Sequence, residues 1–319
     1  MLFRSTSFHL TYMSNPSVSE LQIKRIVEHL ASAPRNSVDN PHRHTLVSRW
    51  ISSEFDQIGL DVNHQVFNIP GQNPERTGTN IIGTLHNSSG VSTTRNIIIG
   101  AHYDTVPGSP GADDNASGIA ALLECARVLK ESKMFTHITF VAFDAEEVQP
   151  NAGGLHGSTH FVSSLPMEKL PSSAIIFESI GFSSKTIKQR LPGVFRFLFP
   201  EAYRTLKNQG FAGNSLLILS QGKEKEISDH LEHAATHPEI LLPVLPLKIP
   251  RWMPAIKHTR RSDHAPFWSA NIPAVMISDT ANFRNPHYHQ ATDTPETLDL
   301  LLIKKAAQMV VATVKSNLI

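Results

Sequence analysis

Hydrophobic and polar positions predict two helices and two strands early in the chain. Apolar residues recur at helical spacing from Ser19 to Leu30, and the serine heads a capping-box pattern. A second helix is predicted over residues 45–57. Residues 64–69 and 79–85 are typical of strands, and the segment between them is rich in turn-forming residues. The chain is therefore expected to open with two helices followed by a strand pair.

The pattern changes at Asn96, where wholly apolar runs begin to alternate with helical stretches. The runs NIIIGA and HITFVAF flank the helical stretch ASGIAALLECARVLKES, and uninterrupted apolar runs indicate strands that are buried on both faces. Further buried strands are predicted at 174–177 and 272–277, and a long C-terminal helix near Thr294 with Pro295 in its first turn. This alternation predicts an α/β fold of three layers, with a mainly parallel central sheet flanked by helices on both faces.

The length of the chain, 319 residues, fits one large α/β domain. Between residues 183 and 258 the periodicity blurs, and Pro and Gly recur. An irregular insertion or lid is therefore predicted there, within a single domain over residues 1–319.

Composition and charge narrow the class of function. Lys and Arg total 29 and Asp and Glu total 28, so no global field attracts nucleic acid or an anionic membrane, and neither is expected as a partner. We find neither a secretory signal core nor an apolar stretch that could span a bilayer, which predicts a cytoplasmic protein. Cys125 lies in an apolar periodic stretch, which predicts a buried thiol. The 17 His residues offer many potential metal ligands.

Candidate metal ligands follow directly after the predicted buried strands, where open α/β sheets place their sites. His102 comes after NIIIGA, and Asp104 follows at a spacing that lets a carboxylate orient a metal-binding imidazole. Asp114 lies at the start of the predicted helix, where its carboxylate could bridge two cations. Taken alone, each motif also fits a plain turn or an ordinary helix start.

Two adjacent carboxylates, Glu146 and Glu147, follow the strand HITFVAF. Close carboxylates repel each other and need a cation or a raised pKa, although a solvated acidic turn has the same composition. One of them could bind a metal while its neighbour stays free as a general base. Glu178 follows the strand AIIF, and His289 lies in the segment NPHYH. The candidate ligands are nitrogen and oxygen donors without a thiolate, as expected for a catalytic zinc pair: His102, Asp114, Glu147, Glu178 and His289.

Four sequence blocks together resemble the co-catalytic dizinc aminopeptidases, which share their fold with glutamate carboxypeptidase II and glutaminyl cyclase. The blocks are AHYD, GADDNASG, FDAEE with GLHGSTHF, and SDHAPFW with RNPHYH and TDTPETLD, in family order. The resemblance implies an exopeptidase that removes N-terminal residues from peptides, with two zinc ions as cofactors. By the same resemblance His102, Asp114 and Glu178 would hold one zinc, and Asp114, Glu147 and His289 the other, with Asp114 bridging.

The resemblance also implies roles in the chemistry. Glu146 would act as general base and then as general acid toward the leaving amine, and Tyr288 matches a family tyrosine that stabilises the oxyanion. Glu178 departs from the pattern, because many aminopeptidases of the family carry Asp there. Three further residues look like supports of the site: Asp104, which would orient His102, and Asp263 and His264 near the catalytic carboxylate.

Three other functions are possible on this fold. A carboxypeptidase for acidic C-terminal residues would need a basic pocket, which Arg260, Arg261 and Arg284 could supply. A glutaminyl cyclase would use one zinc, so the complete five-ligand set counts against it. A receptor-like binding module should have lost ligands or the base, and this chain retains them. We therefore predict a metal-dependent exopeptidase whose partner is a peptide substrate.

Overall fold

A computed structural model describes residues 17–71, 75–88, 96–132, 134, 136–149, 151–222, 225–250 and 257–316. The helices are α1 (Glu20–Leu30), α2 (Pro41–Ile58), α3 (Gly118–Lys130), α4 (His156–Ser163), α5 (Phe195–Leu198), α6 (Pro200–Asn208), α7 (Lys225–Ala235), α8 (His264–Ser269) and α9 (Leu300–Lys315). The strands are β1 (Asp61–Ile69), β2 (Arg76–Leu85), β3 (Asn96–His102), β4 (His137–Phe143), β5 (Ser173–Glu178), β6 (Ser184–Lys188), β7 (Ala212–Gly213), β8 (Leu216–Gln221), β9 (Val244–Ile249) and β10 (Ala274–Ser278).

Eight strands form one sheet in the order β1-β2-β4-β3-β5-β10-β8-β9. The four central strands, β4, β3, β5 and β10, run parallel to one another, and β8 and β9 are parallel as a pair. The antiparallel pairings are those of β1 with β2, β2 with β4, and β10 with β8. Strands β6 and β7 pair separately. The prediction of a mainly parallel α/β sheet is confirmed in its central strands.

Helices cover both faces of the sheet, so the core has two layers. Successive residues of a strand point to opposite faces: Ile97 and Ile99 pack into the larger layer with α1, α2, α3, α7 and α9, whereas Ile98 packs into the smaller layer with α4 and α8. Cys125 is buried in α3, as predicted. None of the helices in the described ranges has the length and apolar character that a membrane span requires.

Several element boundaries differ from the sequence prediction. Ser19 caps α1 by accepting the Gln22 N–H at 3.3 Å, as predicted. The C-terminal helix, however, begins at Leu300, because residues 295–297 form a separate 3₁₀ turn before the capping side chain of Asp299. The segment 112–117 is likewise not the regular helix start that its carboxylates indicate.

The segment 183–258 is more regular than predicted. Residues 251–256 lie outside the described part of the chain, but β8 and β9 complete one edge of the central sheet, and α7 packs on both strands. Short helices α5 and α6 contact each other, and α6 contacts β9. The expectation of a mere insertion or lid was therefore wrong for β8, α7 and β9. The surrounding Pro and Gly residues had masked two short apolar runs.

Candidate metal centre

The candidate site lies at the carboxyl ends of the parallel strands, where open α/β sheets form a crevice. His102 is the last residue of β3, and Glu178 is the last residue of β5. Glu146 and Glu147 follow β4, and His289 lies in the loop after β10. Asp114 comes from the irregular turn 112–117, in which its backbone departs from helical angles and its peptide bond to Asn115 is cis. All five predicted ligands therefore meet at one edge of the sheet.

Asp114 lies between the two histidines. Its Oδ1 is 3.2 Å from His102 Nε2, and its Oδ2 is 3.0 Å from His289 Nε2. Glu147 Oε1 lies 3.2 Å from the same His289 nitrogen. The two oxygens of one carboxylate thus face two different imidazoles, which is the arrangement that a bridging ligand requires.

His102 faces further carboxylates on its other side. Its Nε2 lies 3.4 Å from Glu178 Oε2 and 4.0 Å from Glu146 Oε2. Two groups of donor atoms result, each with its atoms within 4.8 Å of one another: His102 with Glu146 and Glu178, and Asp114 with Glu147 and His289. The first group includes Glu146, which the sequence interpretation assigned as the general base rather than as a ligand. Asp114 belongs to the second group, and its Oδ1 also lies 3.2 Å from His102 of the first group.

Several of these facing atoms have no hydrogen-bond partner within the described part of the chain. They are buried and belong to four residues: Nε2 of His102, Oδ1 of Asp114, Oε1 of Glu147 and Nε2 of His289. Burying polar atoms without partners is costly, so native proteins rarely leave them so. Imidazole nitrogens and carboxylate oxygens are ligands of zinc and other divalent cations. The residues present therefore fit a metal centre.

The electrostatics of the carboxyl groups point the same way. Burial, with the Asp114 charge adding to it, raises the pKa of Glu147 to about 7. Burial also raises the pKa of Glu146 well above its ordinary value, and repulsion from Glu178 and Glu147 contributes. Burial opposes ionisation of Asp114 too, but the close approach of the His102 and His289 imidazoles, 3.2 and 3.0 Å away, outweighs it and lowers that pKa. A bound cation would stabilise the ionised form of all of these carboxylates.

The Asp104 carboxylate binds the backbone of the acidic turn, which is formed by Glu146 and Glu147, and it also faces His102. Its Oδ1 lies 3.5 Å from His102 Nδ1. Its two oxygens also accept the backbone N–H groups of Glu146 at 3.1 Å and Glu147 at 3.2 Å. One carboxylate therefore fixes the backbone of the two adjacent acids and also faces the histidine.

The start of α4 holds the same turn from the other side. The Leu155 and Gly157 N–H groups donate to the Glu146 carbonyl at 2.8 Å and the Asp144 carbonyl at 3.0 Å. A Cβ at Gly157 would lie 2.3 Å from that Asp144 oxygen, so only glycine permits the approach. The block GLHGSTHF thus supplies backbone donors rather than ligands.

Arg35 is a site-forming residue that sequence reasoning missed. It is fully buried, and its guanidinium donates to the carbonyls of Tyr103 at 2.6 Å, Pro110 at 2.5 Å and Gly111 at 2.8 Å. These carbonyls span the loop between His102 and Asp114. An isolated arginine after a helix gives no sequence signal for such a contact.

Three buried aspartates also escaped assignment. The two oxygens of Asp293 accept the N–H groups of Asp113 at 2.9 Å and Asp114 at 3.2 Å. Asp113 in turn accepts the Gly181 N–H, beyond β5, and the Asn285 amide, both at 2.7 Å. Asp279, the third, accepts the N–H groups of Phe182 and Ala281. These bonds tie together the loops that carry Asp114, Glu178 and His289. Asp113 and Asp293 lie within sequence blocks that mark the family, so that signal was present but unused.

Tyr288 lies beside the donor groups. Its ring stacks on the His289 imidazole with centroids 3.8 Å apart, and its hydroxyl accepts a hydrogen bond from Arg261 at 3.1 Å. Burial and the Asp114 and Glu147 charges raise the pKa of Tyr288, so the phenol stays protonated and able to donate.

Asp263 and His264, the two residues of the block SDHAPFW that we expected to support the site, lie in different surroundings. Asp263 is fully buried, burial raises its pKa to about 7, and its charge acts on Glu146. His264 packs its ring against Trp268 at 4.5 Å between centroids and places Nε2 2.9 Å from the Thr259 carbonyl. Those contacts assign His264 to the packing of α8.

The donor groups open into a cavity of about 430 Å³. Glu146, Glu147, Glu178, Tyr288 and His289 line one part of it. The larger share of the apolar lining comes from β8, β9, β10 and the α5–α6 region. The site thus combines a charged end with an apolar interior.

Comparison with known proteins identifies the family. A family model described as peptidase family M28 matches residues 80–314, which is more than half of the chain. Over 306 residues the chain is 30% identical to the Uncharacterized protein YfbL of Escherichia coli K12, covering 93% of this chain and 86% of that protein. It is 29% identical to Aminopeptidase YwaD of Bacillus subtilis over 254 residues, which cover 75% of this chain but 44% of YwaD.

Solved structures show the same fold. A zinc aminopeptidase from Bacillus subtilis superposes with a TM-score of 0.71 at 18% identity, over 95% of this chain and 96% of that one. A glutaminyl cyclase from Bacteroides thetaiotaomicron gives 0.65 at 17% identity, over 94% and 99% of the two chains. The resemblance drawn from the sequence blocks and the expectation of a metallopeptidase are both confirmed, and the chain belongs to peptidase family M28.

Proposed function

We propose that this chain is an aminopeptidase that hydrolyses the first peptide bond of its substrate with two zinc ions. The observation that carries the proposal is the position of Asp114, whose two carboxylate oxygens each face a different histidine at 3.2 and 3.0 Å. The names of relatives, including Aminopeptidase YwaD, support the activity, and the solved zinc aminopeptidase supports the metal.

The ligands would divide into two sets that share Asp114. His102 and Glu178 would complete one set, and Glu147 and His289 the other. Divalent ions bound there would lower the pKa of a water molecule and polarise the scissile carbonyl. Glu178 is longer than the aspartate usual in the family, but its Oε2 lies 3.4 Å from His102 Nε2, so it reaches the same position.

Glu146 would carry the proton. Its carboxylate lines the cavity beside Glu147 and Glu178 and has a strongly raised pKa, which suits a group that takes a proton from water and returns it to the leaving amine. The Tyr288 hydroxyl would donate to the oxyanion of the tetrahedral intermediate, with Arg261 fixing its orientation. Asp104 would orient the His102 imidazole and keep the backbone of the acidic turn in position beside it.

The cavity favours an aminopeptidase over the carboxypeptidase alternative. Arg284 is buried, and its guanidinium is already bound by Gln189 at 3.0 Å and by the Ser215 carbonyl at 2.6 Å. Arg261 donates to Asn282 and Tyr288, and Arg260 to Gln221. The three arginines that could have formed a pocket for an acidic side chain are therefore engaged with the protein itself.

A panel of three peptides tests the proposal. The protein is stripped of metal, resupplied with zinc, and given a tripeptide with a free amine, its N-acetyl form, and an N-blocked peptide with two C-terminal glutamates. We expect rapid release of the first residue from the free-amine peptide alone. Preferred cleavage of the acidic peptide would instead establish the carboxypeptidase. A fourth, free-amine peptide that begins with glutamine tests for a cyclase, which would cyclise that glutamine without hydrolysing a peptide bond.

A peptide is the substrate that we propose, and the cytoplasmic location stays a prediction.

A further inference from the structure

The floor of the cavity continues across the sheet beyond the metal-binding groups. Strand pairing places Glu178 opposite Ser278, Ser278 opposite Leu217, and Leu217 opposite Leu245. These residues line the cavity in one row across β5, β10, β8 and β9. Three strand spacings of about 4.8 Å place the Leu245 end about 14 Å from the strand of Glu178.

A second row lies beside the first and is wholly apolar. Met276 pairs with Leu219, and Leu219 pairs with Leu247. All three side chains line the cavity on the same face of the sheet as the first row. Beyond Ser278 both rows thus consist of leucines alone, whereas Gln189, Ser215 and Arg284 supply polar lining elsewhere in the cavity.

Short helices provide a further part of the apolar lining. Phe195, Leu198 and Phe199, in and beside α5, line the cavity, and Leu206 of α6 joins them. The Phe195 and Phe199 rings contact each other with centroids 5.3 Å apart. The apolar chamber, as we call the part of the cavity lined by these side chains and the leucines of β8 and β9, is therefore lined by hydrocarbon from two parts of the chain.

The size of the cavity exceeds the needs of one ordinary side chain. An apolar protein cavity of roughly 150 Å³ is enough to bind benzene, the size of a phenylalanine ring. The whole cavity here measures about 430 Å³. The polar part near the donor groups accounts for some of this volume. The leucine rows extend across three strand spacings, about 14 Å from the strand of Glu178, which is longer than a leucine or phenylalanine side chain.

We propose that the apolar chamber binds a long linear hydrocarbon group on the first residue of the substrate. This proposal rests on the proposed aminopeptidase function and names its substrate class: peptides or amides whose first side chain is an alkyl chain longer than that of leucine. The α-amine and scissile carbonyl would lie at the metal-binding groups, and the alkyl chain would follow the Ser278, Leu217 and Leu245 row. Removal of apolar surface from water along the row provides the selectivity.

A homologous series tests the proposal directly. The substrates are amides of norleucine, 2-aminooctanoic acid and 2-aminodecanoic acid, with leucine and phenylalanine amides for reference. Each buried methylene should raise kcat/KM by about fourfold, up to the length that fills the apolar chamber. A plateau at leucine, phenylalanine or norleucine, or a fall with each added methylene, would overturn the proposal.

A substitution at the far end of the row locates the binding site. Leu245→Trp should abolish the gain in kcat/KM between the norleucine amide and the 2-aminodecanoic acid amide, because the indole fills the end of the apolar chamber that the longest chain would occupy. Leu301→Trp, at a 47% exposed position on α9, is the matched control and should leave the series unchanged. An equal response of both variants would contradict the assignment.

A binding measurement keeps this inference separate from the proposed function. Calorimetric titration of the zinc-supplemented protein with free norleucine and free 2-aminodecanoic acid requires no turnover. Tighter binding of the longer amino acid in wild type, lost in Leu245→Trp, would support the apolar chamber even if no peptide were hydrolysed. Equal affinities together with normal hydrolysis of leucine amide would reject the apolar chamber and keep the aminopeptidase.

Discussion

Arg35 and Tyr103 are far apart in sequence, yet the Arg35 Nε donates to the Tyr103 carbonyl at 2.6 Å. Through its other two nitrogens Arg35 also holds the end of the same loop, next to the turn that carries Asp114. Burial lowers the pKa of the guanidinium to about 10, which leaves it charged at neutral pH. The N-terminal part of the chain, outside the region matched by the family model, therefore helps to build the site.

Arg35→Met should destabilise the protein by at least about 3 kcal/mol, because it leaves three buried carbonyls without their donor. Arg35→Lys keeps the positive charge but not the planar set of guanidinium N–H donors, so it should lose less stability than Arg35→Met. Urea unfolding gives the free energies, with Arg49→Met at an exposed position of α2 as the matched control. A loss for Arg35→Met no larger than that of the control would show that the loop does not depend on this contact.

The two adjacent glutamates should respond differently to the same substitution. Glu146→Gln should keep its metal and lose roughly a hundredfold or more in turnover, because a general base has been removed. Glu147→Gln should instead weaken metal binding. Elemental analysis beside kinetics separates the two roles. Metal release from Glu146→Gln with retention in Glu147→Gln would reverse them.

Glu178→Ala should yield a protein that holds close to one metal ion. His102 and the shared Asp114 would be the remaining protein ligands of that metal, so this position should empty first. Activity should fall strongly and recover in part at high added zinc, since mass action refills a weakened site. Ser262→Ala, which removes the 2.7 Å hydrogen bond to Glu178 Oε2, is a milder variant and should keep both ions. Two ions and normal turnover in Glu178→Ala would exclude the residue as a ligand.

His264 should make the protein less stable in acid. Burial lowers its pKa from 6.5 to about 4, so the unfolded chain binds a proton at a higher pH than the native protein does. The contribution of His264 to the free energy of unfolding is complete above pH 6.5. As the pH falls from 6.5 toward 4, the free energy of unfolding should drop by about 3 kcal/mol. Unfolding free energies at several pH values, compared with those of His264→Gln, isolate this contribution. Parallel curves for both proteins would contradict it.

The sequence predicted most of the fold because its strongest signals are local. The run NIIIGA is typical of a strand buried on both faces, and the similar runs that follow it alternate with stretches of helical periodicity. The boundary of α9 was predicted too early because Pro295 starts a 3₁₀ turn as readily as an α-helix. Strands β8 and β9 were missed because short apolar runs among Pro and Gly carry little periodic signal.

The candidate site was predictable where a metal-binding side chain directly follows a buried strand, as for His102 and Glu178. The supporting contacts were not predictable in the same way. Arg35 and Asp279 act mainly through backbone atoms that are distant in sequence, and such contacts follow only from the finished fold. His264 was assigned to the site from its position in a motif, whereas its ring belongs to the packing around Trp268.

Zinc titration of the metal-free protein tests the central claim most directly. Increasing equivalents are added to chelator-stripped protein, and hydrolysis of a free-amine peptide and bound zinc are measured at each step. Because Asp114 faces both histidines, we predict that activity reaches its maximum only as the second equivalent binds, and that Asp114→Asn loses both ions together. Full activity at one equivalent, with no second ion bound at saturation, would contradict a two-metal site.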